Sequence, residues 1–176
     1  MKTKLLFVCH GNICRSPMAE FLMKKLVKDA GREAEFEIDS MATSTEEIGT
    51  DMYPPAKRCL RNHGVPFQRR EARQLTQADY DYYDRIFVMD RNNLRWLKML
   101  GINDTEGKVS LLMTLVGEHR DVADPWYTGD FEQTYITPYG TRHTNKAEAD
   151  EVSRQWRDAN DHSIEKQIGE AYREQE

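Results

Sequence analysis

The chain has 176 residues, 31% of them charged and 39% hydrophobic, with a formal net charge of −5. That length suits one domain with a full core. No extended basic tract argues for nucleic acid, and the apolar run after Met1-Lys2-Thr3-Lys4 is too short for a signal-peptide core or a membrane span. A cytoplasmic protein is therefore expected. Cys9, Cys14 and Cys59 are an odd set of cysteines and form no disulfide framework.

The predicted elements alternate strand and helix. Leu5 to Val8 is apolar without polar alternation, as a buried parallel strand requires. After the Cys9–Ser16 loop, Ser16-Pro17 reads as an N-cap with proline at the first helical position. The helix runs from Pro17 to Asp29, with Met18, Leu22 and Leu26 on one face and Gly31 as its stop. Phe36-Glu37-Ile38 is a second strand. Pro54-Pro55 opens a helix through His63, ended by Gly64. Thr76 with Asp79 caps a short helix. Arg85 to Met89 is a third strand, Asp90 caps a helix to Leu100, and Val109 to Leu112 is a fourth strand. The alternation predicts an α/β fold: a doubly wound, four-stranded parallel sheet with helices on both faces. The Cys9 loop then lies at the C-terminal end of the first strand, where such sheets bind ligands.

Cys9-His10-Gly11-Asn12-Ile13-Cys14-Arg15-Ser16 places an arginine after a cysteine and five intervening residues, between a strand and a helix start. This suits a thiolate that attacks phosphate. Backbone N–H groups wrapped over a helix N-terminus stabilise an anion, and the same field favours the thiolate of Cys9. The planar fork of Arg15 can grip two phosphate oxygens. Gly11 permits close approach or a positive φ, and Asn12 tolerates a left-handed conformation. Ser16 can donate to the Cys9 sulfur and help it leave in a second step. A cysteine ending a buried strand is ordinarily a small apolar residue; the strand, glycine, arginine, serine-proline and helix in this order favour chemistry instead.

Val8 to Glu20 resembles the phosphate-binding loop of the low-molecular-weight protein tyrosine phosphatases. Asp124-Pro125-Trp126-Tyr127 resembles the segment where that family carries its general acid. Asp39 to Ser44, Gly64-Val65-Pro66, Ala72 to Thr76 and Val88-Met89-Asp90 are similar too, so the resemblance runs from about Lys4 to Tyr135. It implies a phosphatase domain over 1–135 and a divergent C-terminal segment over 136–176. Ile136-Thr137-Pro138-Tyr139-Gly140 interrupts the expected last helix, because proline and glycine stop helices. Beyond it, Val152, Trp156, Ile164, Ile168 and Tyr172 are sparse apolar residues, fitting either two weakly amphipathic helices or a solvated tail.

The resemblance also assigns roles. Ser40 matches the residue that hydrogen-bonds Asn12 and braces the loop. Cys14 is either the partner of Cys9 in a reversible disulfide or a packed thiol. Arg70 stands where the family often has histidine and otherwise reads as a surface charge. Glu46 occupies a rim position often held by an aromatic; there it disfavours acidic phosphopeptides, unless it merely faces water. His10 shapes the pocket wall, and Trp126 and Tyr127 line the cleft. His63, His119, His143 and His162 show no metal-ligand spacing, so no metal and no cofactor are expected.

The implied reaction is hydrolysis of phosphotyrosine, in a protein or a small aryl phosphate, with Cys9 as nucleophile, Arg15 and the loop amides as charge stabilisers, and Asp124 as general acid and then base. Phosphate and vanadate are the expected inhibitors and a monomer the expected state. Ile13 favours tyrosine over phosphoarginine, since the phosphoarginine branch tends to carry threonine there. A thioredoxin-linked arsenate reductase of the same fold needs further downstream cysteines, and only Cys59 follows the loop. A non-catalytic phosphate-binding module is the remaining alternative; intact Cys9, Arg15 and Asp124 argue against it.

Overall fold

The computed structural model describes residues 1–139. At its centre lies β1 (Thr3–Cys9), whose Leu5-Leu6-Phe7-Val8 run is wholly buried. It pairs in parallel with β2 (Phe36–Ala42) on one side and β3 (Arg85–Val88) on the other, and β4 (Val109–Leu111) pairs with β3. The order is β2-β1-β3-β4, so the chain leaves β1 in one direction and later returns on its other side. That reversal opens a crevice beyond the C-terminal strand ends.

The two-residue period of β1 divides it between two cores. Leu5, Phe7 and Cys9 face one layer, built from α1 (Arg15–Asp29) and α2 (Pro54–Asn62), with Phe131 and Tyr135 of α6 (Phe131–Tyr139) packed against it. Leu6 and Val8 face the other, with Tyr80 of α3 (Gln77–Tyr82) and Leu97 of α4 (Arg91–Met99). Helices thus cover both faces. The capping boxes Thr76/Asp79 and Asp90/Asn93 start α3 and α4. Among the described residues, no helix is long and apolar enough to cross a membrane.

Some element bounds differ from expectation. The second strand continues to Ala42, because Asp39 and Ser40 keep the register with Leu6 and Phe7 although their polarity hides the pattern. The first helix begins at Arg15, and Cys14 rather than Ser16 occupies the N-cap, without a side-chain cap bond. Ser16 is unavailable for capping because its hydroxyl is engaged by Asn12 and Cys9. The fourth strand ends at Leu111, and Leu112–Val116 is a 3-10 turn. The last helix continues through Ile136, Thr137 and Pro138 to Tyr139, the last described residue, so Pro138 by itself does not break it there; Gly140 lies outside the described residues. The expectations for the tail beyond Tyr139 lie outside the described residues.

Candidate active site

β1 delivers Cys9 to the sheet's C-terminal edge, and the chain turns through residues 10–14 before α1 begins. The left-handed turn falls on Asn12, with φ of 58°, and not on Gly11. An added Cβ at Gly11 would meet Glu47 Cγ at 3.5 Å, an ordinary contact, so the backbone turn does not depend on that glycine.

Asn12 is fully buried, and its hydrogen-bonding capacity is used throughout. Its Nδ2 donates to Ser16 Oγ at 2.8 Å and to Ser40 Oγ at 2.9 Å. Its Oδ1 and backbone carbonyl both accept from Arg70. Arginine can only donate, so Oδ1 must face it and the amide orientation follows. The hydroxyl protons follow in turn. Ser40 Oγ, accepting from Asn12, donates to buried Glu20 at 2.5 Å. Ser16 Oγ, also accepting from Asn12, has its proton free for Cys9 Sγ at 3.1 Å, closer than the Met41 carbonyl at 3.5 Å. The Asn12 backbone N–H donates to the same sulfur at 3.3 Å. Two donors are therefore directed at Cys9 Sγ.

Arg70 is consequently not a surface charge. It is a part-buried support of the loop, and burial holds its guanidinium below the usual arginine value against the opposing effect of Glu20 and Cys9. Sequence reading could see only that its position departs from a histidine; the two bonds to Asn12 span 58 residues.

Arg15, in the first turn of α1, has a side chain only 3% exposed. Its Nη1 donates to Asp90 at 2.6 Å and to the Val122 carbonyl at 3.1 Å, and its Nη2 to Asp124 at 2.9 Å. Burial opposes the guanidinium charge, but Cys9, Asp124 and Asp90 outweigh it and raise Arg15 above the usual value. Asp90, expected as a helix cap and part of a family-like segment but given no site role, serves twice: Oδ1 accepts from the Asn93 backbone at 2.8 Å and Oδ2 from Arg15. The family-like segment Val88-Met89-Asp90 at the end of the third strand was the signal that could have found this second contact.

Asp124 caps the short helix α5 (Pro125–Thr128), its Oδ1 accepting from the Trp126 N–H at 3.1 Å. The cleft of about 230 Å³ is lined by Cys9, His10, Gly11, Ile13, Cys14 and Arg15 of the loop, Glu46 and Glu47 on one rim, and Asp124, Trp126 and Tyr127 on the other. His10 sits between Trp96, at 5.3 Å between ring centres, and Glu46, at 3.2 Å from Nε2. Trp126 leans on Tyr53 at 5.2 Å. Cys14 is a free, buried thiol packed with Ile13 and Ala72. Burial first, then the charges of Cys9 and Asp124, push it up to about 12, so it stays protonated beside Cys9. Asn12, Ser16 and Ser40 lie behind the cleft rather than in its lining.

A family model described as low molecular weight phosphotyrosine protein phosphatase matches residues 4–138. A protein of that name from Gallus gallus is 41% identical over 136 residues, spanning 74% of this chain and 85% of its own length. The crystal structure of YfkJ from Bacillus subtilis superposes with a TM-score of 0.75 at 30% identity, covering 92% of this chain and 98% of that one. A Drosophila arginine phosphatase structure superposes at 0.69 with 28% identity, covering 88% and 96%. With the match spanning nearly all the described residues, this chain belongs to the low molecular weight phosphotyrosine protein phosphatase family.

Proposed function

We propose that this chain hydrolyses phosphotyrosine, in proteins and in small aryl phosphates, through a cysteinyl-phosphate intermediate. The observation that carries this reading is Cys9 Sγ, held under two hydrogen-bond donors, facing one cleft with Arg15 and Asp124. Cys9 thiolate attacks phosphorus, and the phenolic oxygen departs with the proton of Asp124. Asp124, now a carboxylate, takes a proton from water as that water attacks the cysteinyl-phosphate. Inorganic phosphate leaves and the thiolate is restored, with Ser16 and the Asn12 N–H receiving its charge.

Arg15 stabilises the phosphoryl oxygens, and Asp90 orients it by retaining Nη1. A phosphate that takes Nη2 displaces Asp124 from its ion pair and frees that carboxyl to hold a proton beside the leaving oxygen. No metal or cofactor takes part in this scheme. His10, Gly11, Ile13 and Cys14 would shape the pocket, Trp126 and Tyr127 would hold the substrate ring, and Glu46 would disfavour acidic flanking residues. Cys59 packs against Phe131 and Glu132 rather than lining the cleft, which weighs against a relay of thiols of the arsenate-reductase kind. We also propose a monomeric, cytoplasmic enzyme, on the basis of its acidic balance and free cysteines.

The test is turnover of p-nitrophenyl phosphate, phosphotyrosyl peptide, phosphoarginine and arsenate by the full chain. Phosphotyrosine hydrolysis is expected, inhibited by phosphate and vanadate, and Cys9→Ser should abolish it while vanadate still binds. Turnover of Cys9→Ser at the parent rate, or preference for phosphoarginine or arsenate, would overturn the reading.

A further inference from the structure

Away from the cleft, α2 and α6 meet through three side chains of metal-binding chemistry. Cys59 lies in α2 and His63 is its C-cap residue four positions on, its N–H donating to the Cys59 carbonyl at 3.2 Å, which keeps the two about one turn apart. Glu132, in the first turn of α6, reaches both: His63 Nε2 lies 2.6 Å from its Oε2, and Cys59 Sγ 3.4 Å from its Oε1. One ligand atom from each of the three lies within 4.8 Å of the others. The spacing of histidines along the chain could not reveal this set, because its third member is 69 residues beyond His63.

The geometry suits a small tetrahedral ion. Zinc binds sulfur at about 2.3 Å and imidazole nitrogen or carboxylate oxygen at about 2.0–2.2 Å, which puts tetrahedral donors about 3.3–3.8 Å apart. Small side-chain rotations bring the present separations into that range. One thiolate, one imidazole and one carboxylate form a borderline-soft set that suits Zn²⁺ and disfavours the oxygen-seeking Mg²⁺ and Ca²⁺. Cys59 is buried, whereas the His63 and Glu132 side chains are 33% and 52% exposed, so an ion has a path from solvent and room for a fourth, water ligand. The His63 ring is already oriented by Tyr135, stacked at 3.8 Å between centres.

We propose that Cys59, His63 and Glu132 form a Zn²⁺ site that clamps α2 to α6. None of the three lines the catalytic cleft. Yet α6 supports the segment behind Asp124, because Thr134 Oγ1 donates to the Ala123 carbonyl at 3.2 Å. Phe131 of α6 also packs on Tyr53, which in turn packs on Trp126. The clamp therefore holds the element under one rim of the cleft without entering it.

The test uses the full chain carrying Cys9→Ser and Cys14→Ser, stripped with chelator and titrated with Co²⁺ and then Zn²⁺. One Co²⁺ per chain should bind with a thiolate-to-cobalt absorption band, and Zn²⁺ should displace it and raise the melting temperature. Cys59→Ser in that background should abolish the band. His63→Gln and Glu132→Gln, at exposed positions that a fold tolerates, should each weaken Co²⁺ binding at least about tenfold. Absence of a thiolate band, its survival in Cys59→Ser, or unchanged affinity in both His63→Gln and Glu132→Gln would overturn the proposal. None of these readouts depends on phosphatase turnover.

Discussion

The Cys9 loop and the segment carrying Asp124 face each other across one cleft and are held in different ways. Every polar group of Asn12 is bonded, and its partners come from the loop itself, from β2 and from Arg70. The Asp124 segment is anchored by the buried side chains of Val122 and Pro125, by Arg15 and by Thr134, while Trp126 and Tyr127 are 56% and 85% exposed. The difference fits the tasks proposed for them. An anion cradle must be in place before the substrate arrives, since donors that need no reorganisation stabilise charge best. A general acid must instead meet leaving groups of varied shape and exchange its proton with water.

The sharpest way to break this comparison is Asp124→Asn. Loss of the proton donor should slow aryl phosphates with poor leaving groups by about 10²–10⁴-fold, and those with very acidic phenols far less. Vanadate affinity should change little, because the cradle is intact. Equal losses across a leaving-group series would remove Asp124 from the acid role.

Arg70→Ala attacks the opposite side. It leaves the Asn12 carbonyl and Oδ1 without their donors, and each unsatisfied buried group costs about 1–3 kcal/mol. Melting temperature and vanadate affinity should fall together, with roughly a tenfold loss in kcat/KM if about 1.4 kcal/mol of that cost reaches the transition state. Arg70→Lys, which restores one donor, should recover part of both. A melting point and vanadate affinity equal to the parent's would show that the loop does not need this brace.

Cys14 tests whether the cradle holds one reactive sulfur or two. Its value of about 12 means that at pH 9 only about one Cys14 in a thousand is thiolate. Alkylation at that pH should therefore mark Cys9 and spare Cys14 in the folded chain. The sign for stability follows: an unfolded cysteine ionises near 9 and the folded one near 12, so this contribution is full below pH 9 and is lost as pH rises towards 12. Mild peroxide should still produce a Cys9–Cys14 disulfide that thiol reductants reverse, because oxidised Cys9 is itself an electrophile. Equal alkylation of the two residues would contradict the buried-thiol reading, and no cross-link by mass spectrometry would contradict the redox one.

The smallest expected effect comes from cutting the chain at Thr141. The cut spares every contact described for both regions and all of the described part of α6. Activity should stay within about twofold and the melting temperature should hardly move, as for a surface change away from core and caps. A large melting-point drop or aggregation would mean that apolar residues of the tail, such as Trp156, Ile164 and Ile168, cover the core; fully burying each such side chain is worth roughly 1.5–3 kcal/mol.

Local chemistry made much of this protein legible from its residues alone. A short apolar run without alternation, ended by turn residues, fits a strand buried on both faces, and Leu5 to Val8 is one. Thr76/Asp79 and Asp90 announce helix starts because caps act within a single turn. Asn12 could be assigned its left-handed turn because few side chains tolerate one. Polar residues inside β2 misled the same logic, and Pro138 did not interrupt α6 within the described residues, since pairing and packing outweigh weak local preferences. What only the tertiary structure decided were contacts between distant segments: Arg70 on Asn12, Asp90 on Arg15, and Glu132 on Cys59 and His63. Each joins groups that sequence separation keeps apart and that only the assembled sheet and its packed helices bring within hydrogen-bonding distance.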